Sequence, residues 1–303
     1  TPCCAMDGAF THILVVLTHY KKQHPMAEHL HKMTLMSALM ELRAPLEALS
    51  LLPTFPLLRL APKGQGQPVM IIPGFLATDN STYVLRRYLK RQGFNVYGWD
   101  LGRNPGLRDE IYRKREEKVI ELYGQHQEKI SLVGWSLGGL YARILAHRLP
   151  EYVRQVVTLG SPFNLAHPKS ASEVEVSGPI LRIYERLNPN ASTDELMNGE
   201  PIWEIPPPVP STSIYSESDG IAAWRYCVDP INPQTENLRI SGSHTGMTHN
   251  PMIYYAVAER LSQPARHWKP FDSNRFHRFM FLRAANGEAT FTNSNPATVS
   301  QSE

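Results

Sequence analysis

The chain has 303 residues, of which 42% are hydrophobic and 19% charged, so it can bury the core of one large α/β domain and is not intrinsically disordered. Its 31 basic and 28 acidic residues leave a net charge of +3, which argues against a nucleic-acid-binding protein. Its 25 prolines argue against a helical bundle or a coiled coil.

The cysteines and the apolar runs bear on the compartment. Cys3, Cys4 and Cys227 are too few for a disulfide framework, which favours a reducing compartment. The apolar run at 13–17 is far shorter than the roughly 18 residues that a membrane span needs. The segment before that run carries Asp7 and no Lys or Arg, so it does not resemble a secretory signal. We therefore expect a cytoplasmic protein without a membrane span.

The N-terminal region divides at Met33. We interpret residues 1–32 as a loosely structured extension, whose scattered histidines are more typical of a solvated surface than of a metal site. Between residues 33 and 52 apolar residues recur at helical intervals, which predicts a helix. We expect Pro53 and Pro56 to interrupt regular structure after this helix.

From residue 68 onward, strand and helix signals alternate. Short apolar runs predict strands, and longer amphipathic runs predict helices. The predicted strands are 68–74, 94–99, 130–134, 153–159, 213–215 and 238–240. The predicted helices are 81–92, 108–127, 139–149 and 251–262. This alternation predicts a parallel sheet with crossover helices.

A motif at the junction of one strand and helix carries chemistry. Gly134-Trp135-Ser136-Leu137-Gly138 matches G-x-S-x-G, and an apolar strand precedes it while a helix follows. A serine on such a tight turn exposes its hydroxyl at the edge of the sheet, and the helix N-terminus provides free N–H groups. We therefore predict that Ser136 is a nucleophile rather than part of a chance match in a loop.

The sequence around Ser136 is similar to that of a known family. VGWSLGGLYAR at 133–143 and VVTLGSP at 156–162 resemble α/β-hydrolases, and more narrowly bacterial lipases and esterases. The resemblance runs from about 68 to 261 and implies a mostly parallel sheet with helices on both faces, a Ser–acid–His order and no cofactor. Trp135 stands where such lipases often have His, a change expected to reshape the pocket floor.

The resemblance also implies a domain organisation. We assign residues 33–265 to an α/β-hydrolase catalytic domain and residues 266–303 to a partly disordered tail. Residues 163–211 interrupt the strand–helix alternation, and in this fold an insertion there covers the active site as a helical lid.

In the order Ser–acid–His, the acid must follow Ser136 in the chain and precede the histidine. The turn Ser218-Asp219-Gly220 closes a predicted strand and is similar to the acid-bearing turn of these lipases, which implies that Asp219 is the acid. Glu217, Asp194 and Asp229 remain competing carboxylates, and a plain Asp-Gly turn is the alternative for Asp219.

The base and the oxyanion hole follow from the same resemblance. His244 lies in a loop directly after a predicted strand and is the expected base, with His249 at the start of the last helix as the alternative. The expected oxyanion-hole donors are the backbone N–H groups of Leu137 and Phe75.

The expected substrate is a small neutral ester with an apolar acyl chain, because no charged residue stands out as a partner for an anionic one. Phe75, Trp135, Leu181 and Tyr184 are the predicted substrate-binding residues, although the insertion's apolar residues could instead attach it to the domain. Contact with a lipid interface is compatible with this substrate, and the oligomeric state stays open.

Other functions use the same fold. An acyltransferase, a thioesterase or an amidase would differ only in what forms or attacks the acyl-enzyme. A non-catalytic binding protein is a further alternative, although Ser136, Asp219 and His244 occur in the order that catalysis needs. A metalloenzyme has no support, since the sequence contains no H-E-x-x-H motif.

Overall fold

The structure is a computed structural model that describes residues 39–106, 109–164, 186, 202–264 and 267–271, without the side chains of 109–112. Its strands are β1 (Pro68–Ile72), β2 (Asn95–Tyr97), β3 (Ile130–Trp135), β4 (Val153–Leu159), β5 (Ser211–Ser216) and β6 (Thr235–Ile240). Its longer helices are α1 (Ala44–Leu58), α2 (Tyr83–Arg91), α3 (Asp109–His126), α4 (Leu137–Arg148) and α5 (Pro251–Ser262).

The six strands form one parallel sheet in the order β2-β1-β3-β4-β5-β6. Strand β1 is buried along its whole length and β4 at every residue except the half-buried Arg154, as expected where helices cover both sides of a parallel sheet. The structure thus confirms the predicted α/β architecture, and each strand predicted from sequence overlaps a strand of this sheet.

Two hydrophobic cores lie on opposite faces of the sheet, because successive side chains of a strand point to opposite sides. Val69 and Ile71 of β1 belong to one core, with residues of α1, α2 and α5. Met70 and Ile72 belong to the other core, with residues of α3 and α4. Helices therefore cover both faces, as predicted.

Helix α1 departs from the prediction. Pro53 and Pro56 were expected to break the chain, but both lie inside a helix that continues to Leu58. Each proline removes one backbone hydrogen bond, from the carbonyl of Leu49 or Leu52. Those two residues and both prolines are exposed, so water can solvate the freed carbonyls. The opposite side of the helix packs against α5 and the loop after β6.

The parallel strands bring several loops to one edge of the sheet. The loops after β1, β3, β5 and β6 all lie at the carboxyl ends of their strands, where α/β proteins place their sites. Of the predicted insertion the structure describes 163–164, 186 and 202–211. Leu181, Tyr184, residues 1–32 and 272–303 lie outside the described residues. Of the insertion's apolar residues, Phe163 and Trp203 are buried in the core that contains α4, so those two attach the insertion to the domain.

None of the helices that the structure describes combines the length and the apolar character of a membrane span.

Candidate active site

Ser136 occupies a sharp turn between β3 and α4. Its backbone has φ 54° and ψ −124°, in a region that side-chain-bearing residues rarely adopt. The strand ladder continues to the residue itself, because its N–H donates to the Leu159 carbonyl at 2.8 Å. A Cβ atom on Gly138 would collide with the carbonyl of Ile72. The glycine therefore lets the helix start close to β1, as the sequence motif predicts.

His244 and Asp219 form a buried pair on two neighbouring loops. Asp219 follows β5, His244 follows β6, and the Nδ1 atom of His244 lies 2.7 Å from Oδ2 of Asp219. The two side chains are 4% and 1% exposed, so the bond is shielded from water. The other carboxylate oxygen of Asp219 accepts the N–H groups of Ile221 and Ala222 at 2.8 and 2.7 Å. These bonds hold the carboxylate in its own turn.

The charges around His244 favour its protonated form. Burial alone would lower the pKa of the imidazole. The negative charge of Asp219, the hydrogen bond to it and the charge of Glu41 outweigh burial and raise that pKa. An imidazolium is thus stabilised at this position, which a base needs while it holds a proton from a nucleophile.

The competing carboxylates and the second histidine have other partners. Asp229 pairs with Arg143 at 2.8 Å, and Glu217 pairs with Arg239 at 2.8 Å on the surface. The Nδ1 atom of His249 lies 3.0 Å from the Thr248 hydroxyl. Asp194 lies outside the described residues. Of the three candidate acids that the structure describes, Asp219 is thus the one whose side chain contacts a histidine.

The loop after β1 lies beside Ser136. A Cβ atom on Gly74 would be 3.1 Å from the Ser136 Cβ atom, so the two backbones approach closely. Phe75 follows in this loop, and Leu137 is the first residue of α4, where an N–H group makes no bond within the helix. The two predicted oxyanion-hole residues therefore lie on either side of Ser136.

Asn104 holds the loop after β1 in place through hydrogen bonds, and this role was not predicted from the sequence. The fully buried Asn104 side chain donates to the Pro73 carbonyl at 2.8 Å. Its backbone accepts from Leu76 at 2.7 Å and donates to Ala77 at 2.8 Å. An asparagine among Gly and Pro residues is an ordinary turn signal in a sequence, so nothing local distinguished it.

Trp135 contacts His244 through a hydrogen bond and through its ring. Its indole Nε1 donates to the His244 carbonyl at 3.2 Å, and the two ring centroids are 5.8 Å apart. Trp135, whose position was expected to shape the pocket floor, therefore also contacts His244.

A cavity of about 240 Å³ opens above these groups. Its lining residues come from all the loops at this edge: Gly74, Phe75, Leu76, Trp135, Ser136, Ile221, His244 and Thr245. Ser136 and His244 thus share one largely apolar cavity, which Phe75 and Trp135 also line. Within the described ranges, no three His, Cys, Asp or Glu side chains come together as a metal site would need.

Comparison with known proteins supports the fold. The family model described as alpha/beta hydrolase fold matches residues 67–206. This match confirms the predicted fold class, and it includes the loop after β1, the Ser136 turn and α4.

Similar curated proteins match part of the chain. The pimeloyl-[acyl-carrier protein] methyl ester esterase of Legionella pneumophila (strain Lens) is 28% identical over 134 residues, which cover 43% of this chain and 51% of that protein. Serine hydrolase BPHL of Mus musculus is 28% identical over 108 residues, which cover 32% of this chain and 37% of that protein. The chain therefore spans about half or less of the length of these relatives.

Solved structures with a similar chain path include hydrolases. A pyrethroid hydrolase from Sphingobium faniae JZ-2 superposes with a TM-score of 0.46 at 17% identity, covering 66% of this chain and 99% of that chain. Aspergillus fumigatus lipase B superposes with a TM-score of 0.47 at 15% identity, covering 70% of this chain and 55% of that one.

Proposed function

Because this chain is an α/β-hydrolase-fold protein that resembles esterases and lipases, we propose that it is a serine carboxylester hydrolase. The observation that carries the proposal is a shared cavity: Ser136 and His244 line it together, and the second ring nitrogen of His244 bonds Asp219. This arrangement suits acyl transfer through a covalent intermediate on Ser136.

The first half of the reaction forms an acyl-enzyme. Nε2 of His244 accepts the Ser136 hydroxyl proton while the Oγ atom attacks the ester carbonyl carbon. The carbonyl oxygen becomes an oxyanion, and the backbone N–H groups of Leu137 and Phe75 stabilise it. The tetrahedral intermediate then collapses, the alcohol oxygen takes the proton from His244, and the acyl group stays on Ser136.

The second half of the reaction releases the acid. His244 removes a proton from a water molecule, and the resulting oxygen attacks the acyl carbon. The oxyanion forms again, the bond to Ser136 Oγ breaks, and the serine recovers its proton from His244. Throughout, the Asp219 carboxylate accepts the Nδ1–H bond and stabilises the imidazolium without being protonated.

The cavity supports a neutral ester as substrate. Among its described lining residues His244 is the titratable side chain, and the remaining walls are mostly apolar. Its volume of about 240 Å³ lies below the roughly 300–1,000 Å³ of pockets that hold drug-sized ligands. We therefore propose neutral esters of small apolar acids as the substrate class.

Covalent labelling of the nucleophile tests this proposal. A fluorophosphonate probe is expected to modify the wild-type protein, and peptide mapping by mass spectrometry should locate the label on Ser136. The Ser136→Ala variant should lose the label and several powers of ten in ester hydrolysis. A label on another serine, or full activity in Ser136→Ala, would contradict the proposal.

A pair of histidine variants provides the matched control. His244→Gln removes the proposed base, whereas His249→Gln removes a half-buried histidine of the same region that bonds only Thr248 among the described side chains. We expect loss of hydrolysis in the first variant and near wild-type rates in the second. The reverse result would transfer the base to His249.

The substrate class is tested with nitrophenyl acetate, butyrate and octanoate, each with and without excess alcohol acceptor. Preference for the shorter chains, with the free acid as product, supports a hydrolase with a small acyl pocket. Equal turnover of all lengths would contradict the pocket, and transfer of the acyl group to the alcohol in preference to water would identify an acyltransferase instead.

A further inference from the structure

The segment before α1 reaches across to the loops that carry the proposed acid and base. Glu41 is half-buried, and its Oε1 atom accepts the Gly220 N–H at 3.0 Å and the His244 N–H at 2.9 Å. Its Oε2 atom accepts the Thr245 N–H at 2.8 Å. One carboxylate thus bonds the backbone on both sides of the Asp219–His244 contact.

Two neighbouring charged residues extend this connection. Arg43 donates to the Ser218 hydroxyl at 2.7 Å and pairs with Glu47 at 3.1 Å. Glu47 in turn accepts the Ser243 N–H at 2.7 Å and its hydroxyl at 2.9 Å. The acid turn and the base loop are therefore each held by side chains from the same short segment.

This connection matters because Asp219 and His244 come from different loops. Their 2.7 Å bond requires that the turn after β5 and the loop after β6 keep a fixed separation. The Glu41 carboxylate bridges the two loops, since the same oxygen bonds Gly220 in the first and His244 in the second. A displacement of about 1 Å in such a contact can cost roughly 10²-fold in rate.

We propose that Glu41 is a positioning residue of the hydrolase, which holds the acid turn and the base loop in register and places a second negative charge beside the imidazole. The inference rests on the proposed function, because it assigns Glu41 a role in the reaction of Ser136, Asp219 and His244. Glu41 is not among the described residues that line the cavity, and it bonds the backbone of His244 and Gly220, so it acts through the positions of His244 and Asp219.

The charges near the imidazole support a measurable effect on pH dependence. Asp219 and Glu41 face His244 with negative charge, while Glu47 and Arg43 form an ion pair next to them. Burial opposes ionisation of Glu41, but the N–H groups of Thr245, His244 and Gly220 hold its pKa below the usual value. Glu41 is therefore charged at neutral pH, and its charge raises the pKa of His244.

Two substitutions separate the charge from the bridge. Glu41→Gln keeps a carbonyl oxygen that can still accept from Gly220 and His244, but it removes the charge and the bond from Thr245. We expect the acidic limb of kcat/KM to move to lower pH, because the pKa of His244 falls. Glu41→Ala removes the bridge as well, and we expect kcat to fall by about 10²-fold with KM within about twofold.

Glu217→Gln is the matched control. It removes a carboxylate two positions from Asp219, but that carboxylate is exposed and pairs with Arg239. We expect neither kcat nor the acidic limb to change. An equal pH shift in Glu217→Gln and Glu41→Gln, or wild-type kcat and pH dependence in both Glu41 variants, would overturn the inference.

A proton NMR measurement keeps this test separate from the proposed function. The hydrogen-bonded Nδ1–H proton between His244 and Asp219 gives a downfield resonance, which can be observed without any substrate. We expect Glu41→Ala to weaken or shift this signal in a protein that still unfolds cooperatively, whereas Glu217→Gln leaves it unchanged. If the wild type hydrolyses no ester but the signal responds, the proposed function fails and the bridge stands. An unchanged signal in folded Glu41→Ala would refute the bridge even in an active enzyme.

Discussion

Two aspartates in the connection between β5 and β6 have equally buried side chains but different partners. Asp219 bonds His244 at 2.7 Å, and Asp229 bonds Arg143 through both carboxylate oxygens at 2.8 Å. Both side chains are at most 1% exposed. The difference lies in the partner, because an imidazole can gain and lose a proton near neutral pH, whereas a guanidinium stays charged.

Further contacts hold the Asp229–Arg143 pair in place. Arg143 also donates to the Ile205 carbonyl at 3.0 Å, and its guanidinium lies 3.7 Å from the centre of the Phe163 ring. The pair therefore ties α4 to the chain that leads into β5. The Asp219 pair instead opens onto the cavity through His244. A buried carboxylate between β5 and β6 can thus serve either the fold or the proposed reaction, according to its partner.

The largest expected effect separates the two aspartates by activity. Asp219→Asn is expected to reduce kcat on the order of 10⁴-fold, because the amide no longer favours the tautomer and the charge state that the base needs. The fold should persist, since an asparagine has nearly the same shape. Steady-state kinetics together with thermal unfolding measure the two quantities. A fall in kcat of less than tenfold would remove Asp219 from the proposed reaction.

The second effect concerns stability instead. Asp229→Asn leaves the Arg143 guanidinium buried without a counter-charge, which is expected to cost about 3–5 kcal/mol in the free energy of unfolding. Denaturant unfolding measures this loss, and fluorophosphonate titration of active sites corrects kcat for the folded fraction. We expect the corrected kcat to stay within a few-fold of wild type. Loss of activity in a fully stable variant would contradict the structural role of this pair.

The sequence predicted the local parts of this site better than the distant ones. The Ser136 turn is encoded in adjacent residues, since glycines, a strand and a helix follow one another in the motif. The choice of Asp219 over Asp229 depended on the resemblance, because Arg143 lies 86 positions from Asp229 in the chain and no local pattern connects them. The role of Glu41 was not predicted for the same reason, since its bond to His244 spans 203 positions.

For the fold as well, the sequence predicted features set by neighbouring residues better than features set by tertiary packing. Hydrophobic periodicity predicted the strands and most helices, because each pattern lies within one element. The continuation of α1 through Pro53 and Pro56 depends on which side of the helix packs against α5 and the loop after β6. That orientation is set by tertiary packing, and the prolines alone predicted a break.

The pH dependence of hydrolysis gives a third, smaller effect. The pKa of His244 is raised, and the base must be neutral to accept a proton, so kcat/KM should fall as the pH drops through a value above the ordinary histidine pKa of about 6.5. Residual hydrolysis by Asp219→Asn should show this limb at lower pH, because the charge that raises the pKa is gone. Asp229→Asn should leave the limb in place. Identical shifts in both variants would mean that the two carboxylates act on the base alike.

The smallest effect is expected at a third carboxylate. Glu217 pairs with Arg239 at 2.8 Å, the same distance as in the Asp229 pair, but these side chains are 41% and 46% exposed. Water and salt screen such a pair, so Glu217→Gln should change the free energy of unfolding by less than about 1 kcal/mol, as measured by denaturant unfolding beside Asp229→Asn. A loss as large as that of the buried pair would mean that contact distance, rather than burial, sets how much each ion pair contributes to the free energy of unfolding. Equal distances with unequal losses would instead leave burial as the cause.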